Sequence, residues 1–269
     1  MTVKRLEVSP INFYGDNFDT ITAYSSHLNG RGDISVYRQT TKSTNVPIII
    51  LLHGVYGSHW VWSQLGGVEQ VYTNLRQKGL SEFVLVMPSD GGHYEGSGYL
   101  PFNHADYEAW IVEDVISAVI DTLPMCSDKS KIYICGLSMG GYGALRLGAK
   151  YPKVFSGISA HSSITNIEDF TEFVDRETLN SLQQTTDIYG GDVFTTLNEN
   201  HSTLAPLRLD CGKEDPLFTA NSRLVRQLIM ANIDHTFEIF DGGHSWEYWH
   251  QHVVKTFEFF AHIEKSNNA

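Results

Sequence analysis

An α/β fold, with a mostly parallel central sheet and helices on both faces, is predicted by three observations. Uninterrupted apolar runs at 46–52 (VPIIILL) and 83–87 (FVLVM) have the character of parallel strands buried on both sides. Residues 68–78 and 107–123 carry apolar side chains at helical spacing, as crossover helices would. Residues 131–151, KIYICGLSMGGYGALRLGAKY, read as strand, tight turn and helix around Gly136-Leu137-Ser138-Met139-Gly140. At 269 residues and 42% hydrophobic content, one large core is enough, and the expectation is a single domain over 1–269.

In chain order, residues 1–45 read as an antiparallel β segment. Strands at 20–26 and 34–39 are joined by HLNGRGD, whose Asn-Gly and Gly-Asp pairs are hairpin signals. Arg31-Gly32-Asp33 spells an adhesion tripeptide but is read as the turn itself. The strand at 46–52 runs into His53-Gly54-Val55-Tyr56-Gly57-Ser58, a flexible loop at a strand's carboxyl end, where ligands bind in open parallel sheets. The helix at 68–78 closes at Gly79, and Pro88 stops the strand at 83–87. The loop 89–104, SDGGHYEGSGYLPFNH, is another strand-end loop and is expected to line a substrate site; a solvated surface excursion is the plain alternative. In the helix at 107–123, Trp110, Ile111, Val115, Ala118, Val119 and Leu123 should face inward and Glu113, Asp114 and Asp121 outward, with Pro124 ending it.

A strand at 154–161 follows the glycine-rich turn. From 162 to 205 strand-like runs disappear, yet Phe, Leu and Val recur, which predicts short helices forming a small cap insertion. Residues 207–211 resume the sheet and lead into Gly212-Lys213-Glu214-Asp215-Pro216-Leu217. A helix at 222–230, a last strand at 235–240 and a C-terminal helix at 246–263 complete the chain, and no internal repeat stands out.

Composition narrows the function classes. A formal net charge of -12 argues against nucleic acid or an anionic lipid surface as partner. Three cysteines (Cys126, Cys135, Cys211) at no metal-like spacing suggest reduced thiols, the opening MTVKRLEVSPINFYGDN has no apolar leader core, and no run reaches membrane-spanning length. A cytoplasmic location with no membrane partner is therefore expected. No metal is expected, because His59, His93 and His104 match no compact ligand motif. No cofactor is expected either, since HGVYGS is not the dinucleotide fingerprint.

The turn at Ser138 carries the chemistry. A glycine-rich turn between strand and helix can also cradle phosphate or simply pack tightly. Here the glycines continue through Gly141 and Gly143 into the helix, as in the nucleophile elbow of the α/β-hydrolase fold, where a strained serine projects beyond the sheet. A serine hydroxyl needs a base, and the base needs an orienting acid. Asp215 and His244 follow Ser138 at predicted strand ends, in the order this fold uses. Glu214 is the chemical alternative to Asp215; Pro216 favours an extended Asp215 and with it the choice of Asp215. His244 sits in the Gly242-Gly243 turn, whereas His250, His252 and His262 fall in a helical pattern that suggests solvent exposure. His53 is expected to bond loop backbone. Oxyanion donors are assigned to the amides of Met139 and Val55, with Tyr56 as the alternative to Val55. Tyr56, His59, Trp60, Trp62, His93, Tyr94, Tyr99, Phe102 and Trp246 form the candidate aromatic substrate site, ordinary packing being the competing reading.

Five segments resemble the putative-esterase family of α/β-hydrolases: LLHG at 51–54, VMP at 86–88, GLSMGGYGAL at 136–145, CGKEDPL at 211–217 and GGHSWEYW at 242–249. The family includes esterase D (S-formylglutathione hydrolase), tributyrin esterases, and feruloyl and acetyl xylan esterases. The resemblance implies Ser138 as nucleophile, Asp215 as acid, His244 as base and the Val55 and Met139 amides as oxyanion hole. It implies a small-molecule ester or thioester substrate, and a homo-oligomer is compatible with it. The expectation is a serine carboxylesterase of short acyl esters. The alternatives are an S-formylglutathione hydrolase, a feruloyl or acetyl xylan esterase, or a noncatalytic scaffold of the same fold.

Overall fold

The computed structural model of the chain describes residues 2–9 and 17–267. Residues 10–16 of the expected N-terminal β segment, and the end of the SNNA tail, lie outside the described residues. Among the described residues one sheet holds nine strands: β1 (Val3–Val8), β2 (Phe18–Ser25), β3 (Gly30–Tyr37), β4 (Ile48–Leu52), β5 (Val84–Pro88), β6 (Ile132–Leu137), β7 (Phe155–His161), β8 (Leu207–Gly212) and β9 (Thr236–Phe240). Their spatial order is β1-β2-β3-β5-β4-β6-β7-β8-β9. β1, β2, β3 and β5 pair antiparallel in succession, and every pair from β5 across to β9 is parallel. The α/β-hydrolase fold expected from the sequence is what the chain adopts.

Why the central runs lack alternation is plain from their burial. Ile48, Ile50 and Leu52 of β4 enter one apolar cluster, with Ile111, Leu145 and Leu224 from the helices Trp110–Val115, Met139–Lys150 and Phe218–Met230. Ile49 and Leu51 enter the other, with Tyr72 of the helix Val68–Gln77 and Phe257 and Phe260 of the helix Trp246–Asn267. Both faces are dry, so every residue of the strand is apolar. The helix Val68–Gln77 ends at Gly79, φ 89°, where the Leu80 amide donates to the Leu75 carbonyl at 3.1 Å and the Gly79 amide to Arg76 at 3.0 Å.

Two expectations about polar residues are corrected. Asp114 does not face solvent. Residues Trp110–Val115 wind as a π-helical turn between Tyr107–Ala109 and Ile116–Thr122. Asp114 stands four residues from both Trp110 and Ala118 on the apolar face and is fully buried, accepting a hydrogen bond from Ser25 Oγ and lying 3.1 Å from His27 Nδ1. His252 is also buried: with Tyr248 and Thr256 it forms an inward stripe at four-residue spacing, and its ring stacks on Phe240 at 4.1 Å. His250 and His262 are exposed as expected.

Residues 162–205 contain no strand and fold as the 3-10 turn Ile167–Glu172, the helices Arg176–Tyr189 and Val193–Glu199, and a short turn at His201–Thr203. Asn166 and Asp169 form a reciprocal capping box, and Asp175 and Asp192 cap the two helices from Thr178 N and Thr195 N. No helix among the described residues is long and apolar enough to cross a membrane.

Candidate active site

The elbow forms because its glycines permit it and its hydrogen bonds hold it. Ser138 has φ 54° and ψ -120°, a region that L residues rarely occupy, at a cost of about 1–3 kcal/mol. Its amide donates to the His161 carbonyl at 3.0 Å, and its own carbonyl accepts from Tyr142 N at 3.1 Å and Ile164 N at 3.2 Å. A Cβ on Gly136 would lie 2.0 Å from the Gly140 oxygen, and one on Gly140 would lie 2.2 Å from the Leu52 oxygen. Only glycine fits either position.

Parallel pairing lines up the strand ends. Leu52 of β4 is opposite Gly136 of β6, and Leu137 is opposite His161 of β7, so the HGVYGS loop lies beside the elbow. Beyond β8 lies Asp215, and beyond β9 lies His244, joined by pairing of Gly212 with Phe240. The side chains meet: Ser138 Oγ is 3.0 Å from His244 Nε2, and His244 Nδ1 is 2.9 Å from Asp215 Oδ2 and 3.1 Å from Oδ1. Asp215 is buried and also accepts from the Leu217 amide at 2.8 Å. The Glu214 carboxylate turns away and accepts from Gly242 N at 2.5 Å. With Nδ1–H donated to Asp215, Nε2 is free to accept the serine proton, the arrangement that serves general-base activation of a hydroxyl.

The expected oxyanion donors are the amides of Met139, next to the serine in the chain, and Val55, which lines the same cavity. Met139 N opens the helix Met139–Lys150, where a first-turn amide has no intrahelical acceptor. The Tyr56 amide is already donated to the Glu95 carbonyl at 2.9 Å, whereas no carbonyl among the described residues accepts from Val55. His53 bonds loop backbone through both nitrogens, to the Gly54 oxygen at 2.7 Å and the Asp90 amide at 3.1 Å.

A cavity of about 270 Å³ opens on Ser138 and His244, lined by Val55, Tyr56, Val61, Leu137, Phe173, Trp246 and Trp249. It takes in Tyr56 and Trp246 from the candidate aromatic set and leaves out the others. Tyr99 is wholly buried, its hydroxyl donating to the His53 carbonyl at 2.9 Å. Trp62 is likewise buried, its Nε1–H donating to Leu52 O at 3.0 Å. His59 bonds Ser35 Oγ at 2.8 Å, and Trp60 is partly exposed outside the lining. His93 packs against Tyr94, Phe102, His104 and Tyr107 with ring centroids 4.2–5.8 Å apart, and burial pushes its pKa down to about 4. In the loop 89–104, then, His93, Tyr99 and Phe102 are buried while Tyr94 and His104 are exposed, and the loop reaches the elbow through Gly96, where a Cβ would sit 2.4 Å from Met139 Sδ. Phe173 and Trp249, absent from the candidate set, contact His244: Phe173 is stacked at 4.7 Å and Trp249 is edge-on at 5.0 Å. Trp249 lies in the GGHSWEYW segment, but Phe173 has no motif around it.

Directly beneath the elbow lies a buried ion cluster. His161 Nδ1 is 2.7 Å from Asp210 Oδ2, which also accepts from Arg208 at 2.6 Å; Arg208 in turn reaches Glu238, and Tyr248 donates to Asp210 Oδ1 at 2.8 Å. Burial alone would lower the His161 pKa, but the Asp210 carboxylate and the nearby Cys135 sulfur outweigh it and push it up to about 9. A histidine whose folded pKa lies above its unfolded value stabilises fully below that unfolded value and loses the contribution as pH rises through the folded pKa. The melting temperature is therefore expected to fall between pH 7 and 9.5, on the order of 5 °C of that fall being attributable to His161. Thermal unfolding of wild type and His161→Gln checks this; equal pH slopes in the two would contradict it.

The sequence model of the family described as "Putative esterase" matches residues 25–260. An acetyl esterase of Caldicellulosiruptor saccharolyticus is 26% identical over an alignment of 275 positions, covering 96% of this chain and 99% of that protein. Among solved structures, a ferulic acid esterase superposes with a TM-score of 0.79 at 24% identity, covering 96% of this chain and 99% of that one. An S-formylglutathione hydrolase of Staphylococcus aureus superposes with a TM-score of 0.76 at 16% identity, covering 96% of this chain and all of the other.

Proposed function

The chain belongs to the Putative esterase family and is a hydrolase of carboxylic esters, and from this we propose that it cleaves short-chain acyl esters through an acyl-enzyme on Ser138. The observation that carries the reading is the continuous hydrogen-bonded relay from Ser138 through His244 to Asp215, opening on a small cavity.

In this mechanism His244 Nε2 takes the Ser138 proton as Oγ attacks the ester carbonyl, and Asp215 stabilises the imidazolium through its Nδ1–H. The tetrahedral oxyanion is held by the Met139 and Val55 amides, with the N-terminus of the helix Met139–Lys150 adding a favourable field. Commitment of the Tyr56 amide to Glu95 supports Val55 as the second donor. The intermediate collapses as His244 gives its proton to the departing alcohol, leaving the acyl-Ser138 ester. Water then enters, His244 removes its proton, and the acid leaves as Ser138 is restored.

Two features support a small acyl group. The cavity of about 270 Å³ lies just below the range usual for small-molecule sites, and its walls are mostly apolar. A relative that matches over nearly its full length is named an acetyl esterase. The three cysteines are unpaired and buried, which is compatible with the cytoplasmic setting we favour. The p-nitrophenyl esters of acetate, butyrate, octanoate and laurate test the acyl preference. The expected kcat/KM falls at least about tenfold from butyrate to octanoate. A profile rising toward laurate would refute the short-chain reading.

A further inference from the structure

Three chain segments meet over Ser138 and His244, and one aromatic ring closes the space between them. Phe173 stacks on the His244 imidazole with planes 30° apart and forms one wall of the cavity. It follows the turn Ile167–Glu172, to whose Phe170 carbonyl its amide donates at 2.8 Å, and precedes the helix Arg176–Tyr189. Bonds from outside the segment tie it further. The Tyr56 hydroxyl, from the loop after β4, donates to the Phe173 carbonyl. Two residues on, the Asp175 amide donates to Glu95 Oε2 at 2.5 Å, while the Asp175 side chain accepts from Thr178 N at 2.7 Å and caps the helix. The Glu95 carbonyl accepts the Tyr56 amide at 2.9 Å. These bonds form a closed clasp joining the loop after β4, the loop after β5 and the segment after β7. Tyr56 holds its place with φ 60°, a conformation unfavourable for a tyrosine.

The other apolar walls are built differently. Leu137 ends β6 and Val61 begins a helix; Trp246 packs edge-on against Trp62 and Trp249, with centroids 6.0 and 5.1 Å away. Regular elements and core packing fix them, whereas Phe173, partly buried against the core at the end of a 3-10 turn, is tied to the neighbouring loops by the clasp. Resting on the esterase reading above, we propose that Phe173 is the specificity-determining residue of the site: its ring limits the acyl group that Ser138 can accept to short chains, and the Tyr56–Glu95–Asp175 clasp holds it in place. A longer acyl chain would have to displace the ring from His244, breaking the stack and the Tyr56 bond together.

The test compares kcat/KM for p-nitrophenyl acetate and octanoate in wild type, Phe173→Ala, Phe173→Leu and Tyr56→Phe, with ethyl and naphthyl acetate to vary the alcohol at constant acyl group. The octanoate-to-acetate ratio is expected to rise at least about tenfold in Phe173→Ala, with a smaller rise in Phe173→Leu and in Tyr56→Phe, which keeps the ring but frees its backbone. The naphthyl-to-ethyl ratio should stay within about twofold. Such ratios do not depend on the fraction of folded enzyme, so partial misfolding cannot imitate the result. An unchanged acyl ratio, or a change confined to the alcohol ratio, overturns the proposal while the esterase reading survives. A wild type inactive on every ester would overturn the esterase reading itself.

Discussion

Ser138→Ala is expected to lose on the order of 10⁶-fold in kcat for ester hydrolysis while keeping the wild-type fold. The size follows from the proposed mechanism: the hydroxyl 3.0 Å from His244 Nε2 is the one group in the relay that would form a bond to carbon. The fold should survive because alanine, like serine, carries a Cβ at φ 54°, so the elbow's strain does not change. The bonds that hold the turn, to His161 O and from Tyr142 and Ile164, are all backbone bonds. Residual turnover comes only from the oxyanion amides and substrate positioning. Steady-state kinetics on p-nitrophenyl acetate, with thermal melting of the same samples, checks both halves. A folded variant within about tenfold of wild type would place the nucleophile elsewhere.

Asp215→Asn is expected to cost about 10⁴-fold in kcat, and Glu214→Gln only a few-fold. Asp215 accepts the Nδ1–H of His244 and so leaves Nε2 unprotonated toward Ser138. An asparagine can turn its NH₂ toward Nδ1, stabilising the opposite tautomer and blocking Nε2 with a proton just where the serine proton must go. The neighbouring Glu214 instead anchors the turn before His244. Its Oε2 receives the Gly242 amide at 2.5 Å, and a glutamine oxygen can accept that bond equally well. The paired variants separate two adjacent carboxylates that the sequence alone ranks only by the conformational preference before Pro216. Equal losses in both would mean that the orienting acid is misassigned.

What is legible in the sequence divides along physical lines. Strands β4 and β6 and the elbow can be read because doubly buried parallel strands and forced glycines leave marks in the residues themselves: apolar runs, and positions where a Cβ has no room. Asp114 is read outward on its charge although its spacing from Trp110 and Ala118 puts it on the apolar face; the partners that permit its burial, Ser25 and His27, lie far away in the chain. His252 defeats it because its burial comes from Phe240, on a strand whose distance from the helix face is a tertiary fact. The aromatics of the loop 89–104 look like a binding surface in one dimension, yet His93, Phe102 and Tyr107 satisfy one another instead. Phe173 shows the converse. Nothing around it in the sequence marks it, because the bonds that tie its segment to the site come from Tyr56 and Glu95, more than 75 residues earlier in the chain.

The central claim is that Ser138 becomes covalently acylated, and mass spectrometry of the protein treated with a fluorophosphonate tests it most directly. The account predicts one adduct per chain, located on the peptide that contains Ser138 and missing from Ser138→Ala. An unlabelled wild type, or an adduct mapped to another residue, would contradict it.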